Sequence, residues 1–277
     1  MSYRIPLFLL GLAALSPARA ETINCTPVAT VPTTITTQGI YCLTADLSTA
    51  IASGSAIQID TNNVTLDCNG YKLGGLAAGA GTTAVGISAS GRSNITVRNC
   101  SVRGFRTGLS FSGSGHAVED SRFDANTRIG VKVVGDGSVI QRNLVLNTGG
   151  NTANQDPRGI ETSEDVDVLD NTIAGVTATG GSGDPAYGIF ALTNTAGSVS
   201  DNRIRNVLAD GAGSPVGIWA ILSTRMTISG NHLSNPATSG YGILCDGVDV
   251  TPAVKNVVNG YASGIDTDCV ENGNVVN

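Results

Sequence analysis

Lys132, Glu161, Phe190 and Trp219 follow one another at intervals of 29 residues, each two places after a glycine, in "GVK", "GIE", "GIF" and "GIW". An ammonium, a carboxylate and two aromatic rings at one recurring position suggest recognition chemistry. Flat rings accept the C–H face of a pyranose, and Lys132, Glu161 and the nearby Arg158 can meet hydroxyls or a carboxylate. Lys132 and Arg158, beside Glu161, could also act as base and acid in a lyase-type abstraction of an acidified sugar proton. The simpler reading of a Lys beside a Glu on adjacent strands is a cross-strand ion pair. Asp156 and Asp184 lie in neighbouring turns and could hold Ca²⁺ with turn carbonyls, although solvated Asp-Pro turns explain them equally well. No other cofactor is expected. His116 and His232 fall in different repeats, which argues against a His-based metal site or triad.

These side chains can act together only if the chain stacks its repeats. Gly-aliphatic pairs recur at Gly86, Gly108, Gly130, Gly159, Gly188, Gly217, Gly242 and Gly264, at intervals of 22 to 29 residues. Beside them run "VRNCSV", "VEDSRF", "IQRNLV", "VLDNTI", "VSDNRI" and "ISGNHL", which set Asn99, Asp120, Asn143, Asn171, Asn202 and Asn231 at equivalent points. A period of this length indicates a solenoid. Short Val, Ile and Thr runs broken by Gly, Asn, Asp and Ser read as strand-turn-strand, not as helical pairs. The expectation is a parallel β-helix of about nine rungs. The recurring Asn would sit at a sharp turn, tolerate the left-handed conformation and bond its amide to the backbone of an adjacent rung.

In each Gly-Ile strand the aliphatic residue points inward, so the next one points out. The outward column is then Ser88, Ser110, Lys132, Glu161, Phe190, Trp219, Leu244 and Asp266. The extra residues of the 29-residue repeats fall before Gly159, Gly188 and Gly217, so long turns bearing Asn154, Gln155, Asp156, Arg158, Asp184 and Asp210 should rim this face. The alternative to a sugar groove is an apolar patch of Phe190, Leu192, Trp219 and Ile221, covered by the N-terminal segment or by a second copy in a homo-oligomer.

Residues 1–20 read as a signal peptide: Arg4, then the apolar "PLFLLGLAAL", then the small-x-small site Ala18-Arg19-Ala20. The apolar run is too short to span a bilayer, so no membrane insertion is expected. Cleavage would remove Arg4 and Arg19 and leave 14 basic and 22 acidic residues, a net charge of −8. An acidic surface argues against nucleic acid as a partner. Charged residues make up 14% of the chain, well below an ordinary globular domain, while Gly is abundant, as a turn-rich solenoid requires. Residues 21–56 read as an N-terminal cap with the first strands, and 57–277 as the repeats. Six Cys in an exported chain, periplasmic or extracellular, imply disulfides. The rung register favours the local pairs Cys25–Cys42, Cys68–Cys100 and Cys245–Cys269, which would close the ends of a stack that otherwise exposes open edges. Asn63-Val64-Thr65 and Asn94-Ile95-Thr96 match the glycosylation pattern, which is common by chance.

"NNVTLDCNGYKLGG" (62–75), "SNITVRNCSVRGF" (93–105) and the Gly-Ile rungs resemble right-handed parallel β-helix repeat proteins of the pectate-lyase-like superfamily, over roughly residues 35 to 277. The resemblance implies an all-β, single-domain, right-handed parallel β-helix. It does not choose an activity, because that superfamily includes lyases, hydrolases, epimerases, binding proteins and adhesins. The hydrolase signatures Asn-Thr-Asp, Asp-Asp and Gly-His-Gly are missing here, and the nearest His context is Gly115-His116-Ala117. The lyase Trp-Ile-Asp-His segment is also missing, and "QDPRGIE" (155–161) shares only Asp-Pro with the epimerase run. The resulting expectation is an exported protein that binds a polysaccharide or oligosaccharide on a lateral face. The alternatives are a structural or adhesive β-helix that assembles through that face, and a polysaccharide lyase or uronan epimerase.

Overall fold

A computed structural model describes residues 24–152, 155–181, 183–193, 196–223, 225–236, 238–247 and 251–277. The leader assigned to residues 1–20, and Asn154 in the rim, lie outside the described residues. The rest is a parallel β-solenoid of about nine turns built from three sheets. Sheet A has 11 strands from Thr26–Pro27 to Cys269–Asn272, sheet B has ten from Thr33–Ile35 to Ser263–Ile265, and sheet C has ten from Leu47–Ser48 to Val275–Val276. A rung runs B, A, C: Arg158–Ser163, Val166–Leu169 and Thr172–Thr177, before Ala186–Leu192 opens the next. The only helical piece among the described residues is a single 3-10 turn, Leu76–Ala78.

The inward columns explain why so few charges suffice. In sheet B, Ile57, Ile87, Leu109, Val131, Ile160, Ile189, Ile218 and Ile243 pair rung on rung and are fully buried. Columns from Leu66 to Ala253 in sheet A and from Leu73 to Val258 in sheet C complete the core. Burying such a side chain contributes about 1.5–3 kcal/mol, so aliphatic columns hold the stack together.

The glycine column has a steric cause. A Cβ on Gly130 would stand 2.6 Å from the Gly159 carbonyl oxygen, and one on Gly188 would stand 2.5 Å from that of Gly217. Each corner from sheet C into sheet B therefore brings a rung too close to its successor for any side chain. The three disulfides Cys25–Cys42, Cys68–Cys100 and Cys245–Cys269 form as the register implies, with Cα separations of 5.8, 4.7 and 5.4 Å. Such bonds persist in oxidising compartments. Among the described residues no helix is long and apolar enough to cross a membrane.

The asparagine column differs from the expectation. The column is Asn143, Asn171, Asn202, Asn231 and Asn256, all buried, ending on the half-buried Asn274. The left-handed residue is the one before each: Arg142, Asp170, Asp201, Gly230, Lys255 and Gly273, with φ between 53° and 67°. Asn99 and Asp120 occupy that left-handed position too, at φ 53° and 50°. Their neighbours Cys100 and Ser121 continue the column, because Cys100 N donates to Ser121 Oγ and Ser121 N to Asn143 Oδ1, both at 3.1 Å. Asn and Asp suit both positions, so the sequence alone misplaced these two rungs by one residue.

Candidate functional site

Sheet B brings the outward column together in register: Ser88, Ser110, Lys132, Glu161, Phe190, Trp219 and Leu244 are direct partners on successive strands. Asp266 lies just past the end of the last strand, Ser263–Ile265, whose Ile265 pairs with Ile243. Lys132 Nζ lies 2.8 Å from Glu161 Oε1, and Arg158 donates from Nη1 to Glu161 Oε2 at 2.8 Å. Burial alone would raise the Glu161 carboxyl. The charge of Arg158 and the hydrogen bond from Lys132 outweigh it and hold the group below its ordinary value of 4.5, so it stays ionised. Both cations are thus held by one carboxylate.

The aromatic residues form a compact group. Tyr187, one position before the Gly188 corner, packs its ring 5.3 Å from Phe190 and 5.1 Å from Trp219, and Phe190 meets Trp219 edge-on at 5.4 Å. Edge-to-face pairs of this kind contribute about 0.5–1.5 kcal/mol beyond their buried area. Val216, Ile221, Tyr241 and Leu244 pack around them. Phe190 points outward yet is only 7% exposed, because the Arg158 guanidinium lies over its ring at 3.9 Å from the centroid. One face of Phe190 is therefore taken by a cation–π contact. Trp219 stays half-buried, although its Nε1 is buried without a hydrogen-bond partner. Burial, and after it the Asp156 charge, push the Tyr187 phenol up to about 12.

Two cations that the sequence reading did not single out adjoin this group. Arg106 and Arg128 sit two residues before Gly108 and Gly130, at the entry to sheet B. Arg128 N donates to the Arg106 carbonyl at 3.0 Å, and Arg158 N to that of Arg128 at 2.8 Å. The Arg106 guanidinium donates to Gln155 Oε1. The recurrence of Arg before two successive glycines was a readable signal.

The long turns before Gly159, Gly188 and Gly217 connect sheet C to sheet B and rim this edge. Asp210 ties two of them together, its carboxylate accepting from the backbone N–H groups of Gly181, Gly183 and Asp184 at 2.7 to 3.0 Å. Asp156 lies 3.8 Å from Arg158. Among the described residues no three His, Cys, Asp or Glu side chains gather as a ligand set, and that holds for Asp156 and Asp184. His232 is exposed on sheet C, and His116 is buried against Phe111, their rings 5.2 Å apart. A cleft of about 610 Å³ lies at the corner between sheets A and C, lined by Asn69, Asn99, Asp120, Arg122 and Arg142 among others. Arg142 there is already bound to Asp120 and Glu119. That cleft has no aromatic lining, so sheet B remains the better candidate.

Comparison with known proteins addresses the fold. A family model described as right handed beta helix region matches residues 55–231. No curated protein matches the chain in sequence. The chain is similar to the Dettilon tailspike protein, with a TM-score of 0.52 and 14% identity over 87% of this chain and 56% of that one. It is similar to the Agl-KA catalytic domain, with a TM-score of 0.51 and 16% identity over 86% and 55%. The tailspike of E. coli bacteriophage HK620, solved with a pentasaccharide, gives 0.48 and 13% over 87% and 60%. The chain spans little more than half the length of these proteins, and identities this low report the fold alone.

Proposed function

The chain belongs to the right-handed β-helix family, and on that premise we propose that it binds a polysaccharide or oligosaccharide on the outward face of sheet B, between Lys132 and Trp219. The observation that carries the reading is the half-buried Trp219, braced by Tyr187 and Phe190 and in register with an ionised Glu161 held by Lys132 and Arg158. The rings fix the indole, so presenting it to a sugar costs little side-chain entropy. Phe190 acts here as support, since Arg158 lies on its ring. The proposal is for binding, because Lys132 and Arg158 are bound to Glu161 and so are poorly placed to move a proton. Three disulfides fit an exported protein acting in the periplasm or outside the cell.

The test is tryptophan fluorescence, since Trp219 is the only Trp. Titration with oligosaccharides should give a saturable spectral change with at least one of them. Trp219→Ala should keep its β-sheet circular dichroism and weaken binding by about 1 kcal/mol or more. A variant that binds equally well would remove Trp219 from the site. A second reading, assembly of copies through this face, draws on Leu192, which is 36% exposed beside the aromatic group. Sedimentation velocity separates the two: a mass that falls on dilution, with an indole spectrum that shifts alongside it, would favour assembly.

A further inference from the structure

Arg106 and Arg128 hold equivalent places two residues before Gly108 and Gly130, linked backbone to backbone, so their side chains start about 4.8 Å apart; Arg158, paired with Ile129 on the next rung, stands one residue further along. Arg158 is bound to Glu161 and Arg106 to Gln155. Arg128, between them, has no side-chain hydrogen bond or ion pair among the described residues, and its Nε is buried. Burial first, then the charges of Arg106 and Arg158, disfavour its cation, and Glu161 and Asp156 offset this only in part. With Lys132, four cations stand here against those two carboxylates, in a chain whose net charge is −6.

We infer that Arg106 and Arg128 form an anion subsite at the edge of the sugar-binding face, so that the ligand is an acidic glycan carrying a carboxylate or a sulfate. The inference rests on the glycan-binding reading above and adds the chemical class of the sugar. A guanidinium offers five donors in a planar fork that matches the oxygens of either group. Hydroxyls of a neutral sugar would leave the repulsion between the arginines in place. An anion removes it and gives the buried donor an acceptor. The acidic surface elsewhere repels such a polymer, which concentrates binding on this edge.

The experiment compares polygalacturonate, dextran sulfate and unmodified dextran, at low and high salt, on the wild type, Arg128→Gln and Arg106→Gln. The expected result is binding of one or both acidic polymers, weakened by salt and weakened about ten-fold or more by Arg128→Gln. Polygalacturonate alone would assign a carboxylate and dextran sulfate alone a sulfate. Arg128→Gln should melt close to or above the wild type, and Arg106→Gln, which loses its bond to Gln155, should melt no more than a few degrees lower, which separates a binding defect from a folding one. If Arg128→Gln fails to fold, Arg106→Gln carries the test. Dextran bound as tightly as the acidic polymers, with no effect of either substitution, would overturn the anion subsite and leave the glycan-binding reading standing. No binding of any polymer by the wild type would overturn both.

Discussion

Two columns of like residues climb this solenoid on different edges, and they obey opposite electrostatics. At the corner between sheets A and C, each buried Asn from Asn143 to Asn256 donates its backbone N–H and Nδ2 to the Oδ1 of the Asn on the next rung. The distances are 2.8 to 3.1 Å. Nδ2 also reaches the backbone carbonyls of Val118, Ile140, Val168, Val199 and Ile228 in the rungs before. At the entry to sheet B, Arg106 and Arg128 repeat at one position with Arg158 a residue further on, all with donors and no acceptor, and the Arg128 side chain has no hydrogen bond or ion pair among the described residues. A column of amides satisfies itself because each unit both gives and takes hydrogen bonds. A cluster of cations cannot. The first arrangement stabilises the stack, and the second is the anion subsite inferred above.

The largest effect expected breaks the amide column at its centre. Asn202→Ala removes the acceptor of the Asn171 N–H and the donor to the Val168 and Ser200 carbonyls. Buried groups left unpaired cost about 1–3 kcal/mol each, so the loss should be about 3 kcal/mol, read from the urea midpoint at unchanged slope. A loss below about 1 kcal/mol would show that the column is decoration.

His116 sharpens the contrast, being a buried polar side chain outside both columns with neither ring nitrogen hydrogen-bonded. Burial lowers its pKa from 6.5, and nearby backbone at Ser112 and Arg92 counters this too weakly. The folded state therefore prefers the neutral ring. As pH falls below about 6.5 the unfolded chain takes up the proton first, and stability should drop by at most about 1.4 kcal/mol per pH unit until the folded value is reached. Above that range the ring contributes no slope. His116→Phe should flatten this part of the profile. Identical profiles for variant and wild type over pH 5 to 7 would mean that the ring titrates normally.

The smallest effect tests the cationic column as structure. Arg128→Gln, without ligand, should leave the urea midpoint within about 0.5 kcal/mol of the wild type or move it upward, because it removes a crowded charge that binds no other side chain among the described residues. A loss close to that of Asn202→Ala would make the two columns equivalent and end the comparison.

Much of this architecture was readable from the spacing of small and aliphatic residues. Gly at a corner, Ile inward and a variable residue outward fixed the partners of Lys132, Glu161, Phe190 and Trp219, since a strand alternates its faces with a period of two. Counting rungs also gave the three Cys pairs, which are local in sequence although the bonded cysteines do not face each other in the strand register. At the turns the reading slipped by one residue, because Asn and Asp fit both the left-handed position and the buried one. The cover on Phe190 was not readable either. It depends on the torsions of the long Arg158 side chain, which reaches Glu161 and Phe190 together, and spacing carries no record of torsions.

The sequence by itself therefore determined the quantities set by backbone period: the solenoid, its inward columns, its disulfide pairs and the order of side chains along sheet B. Only the tertiary structure decided which outward groups neutralise one another and which are left over. Lys132 and Arg158 converge on Glu161, while Arg128, one rung from Arg158, is left between two like charges. That outcome depends on the reach of flexible side chains and on turns of unequal length, and both are settled only when the rungs are stacked.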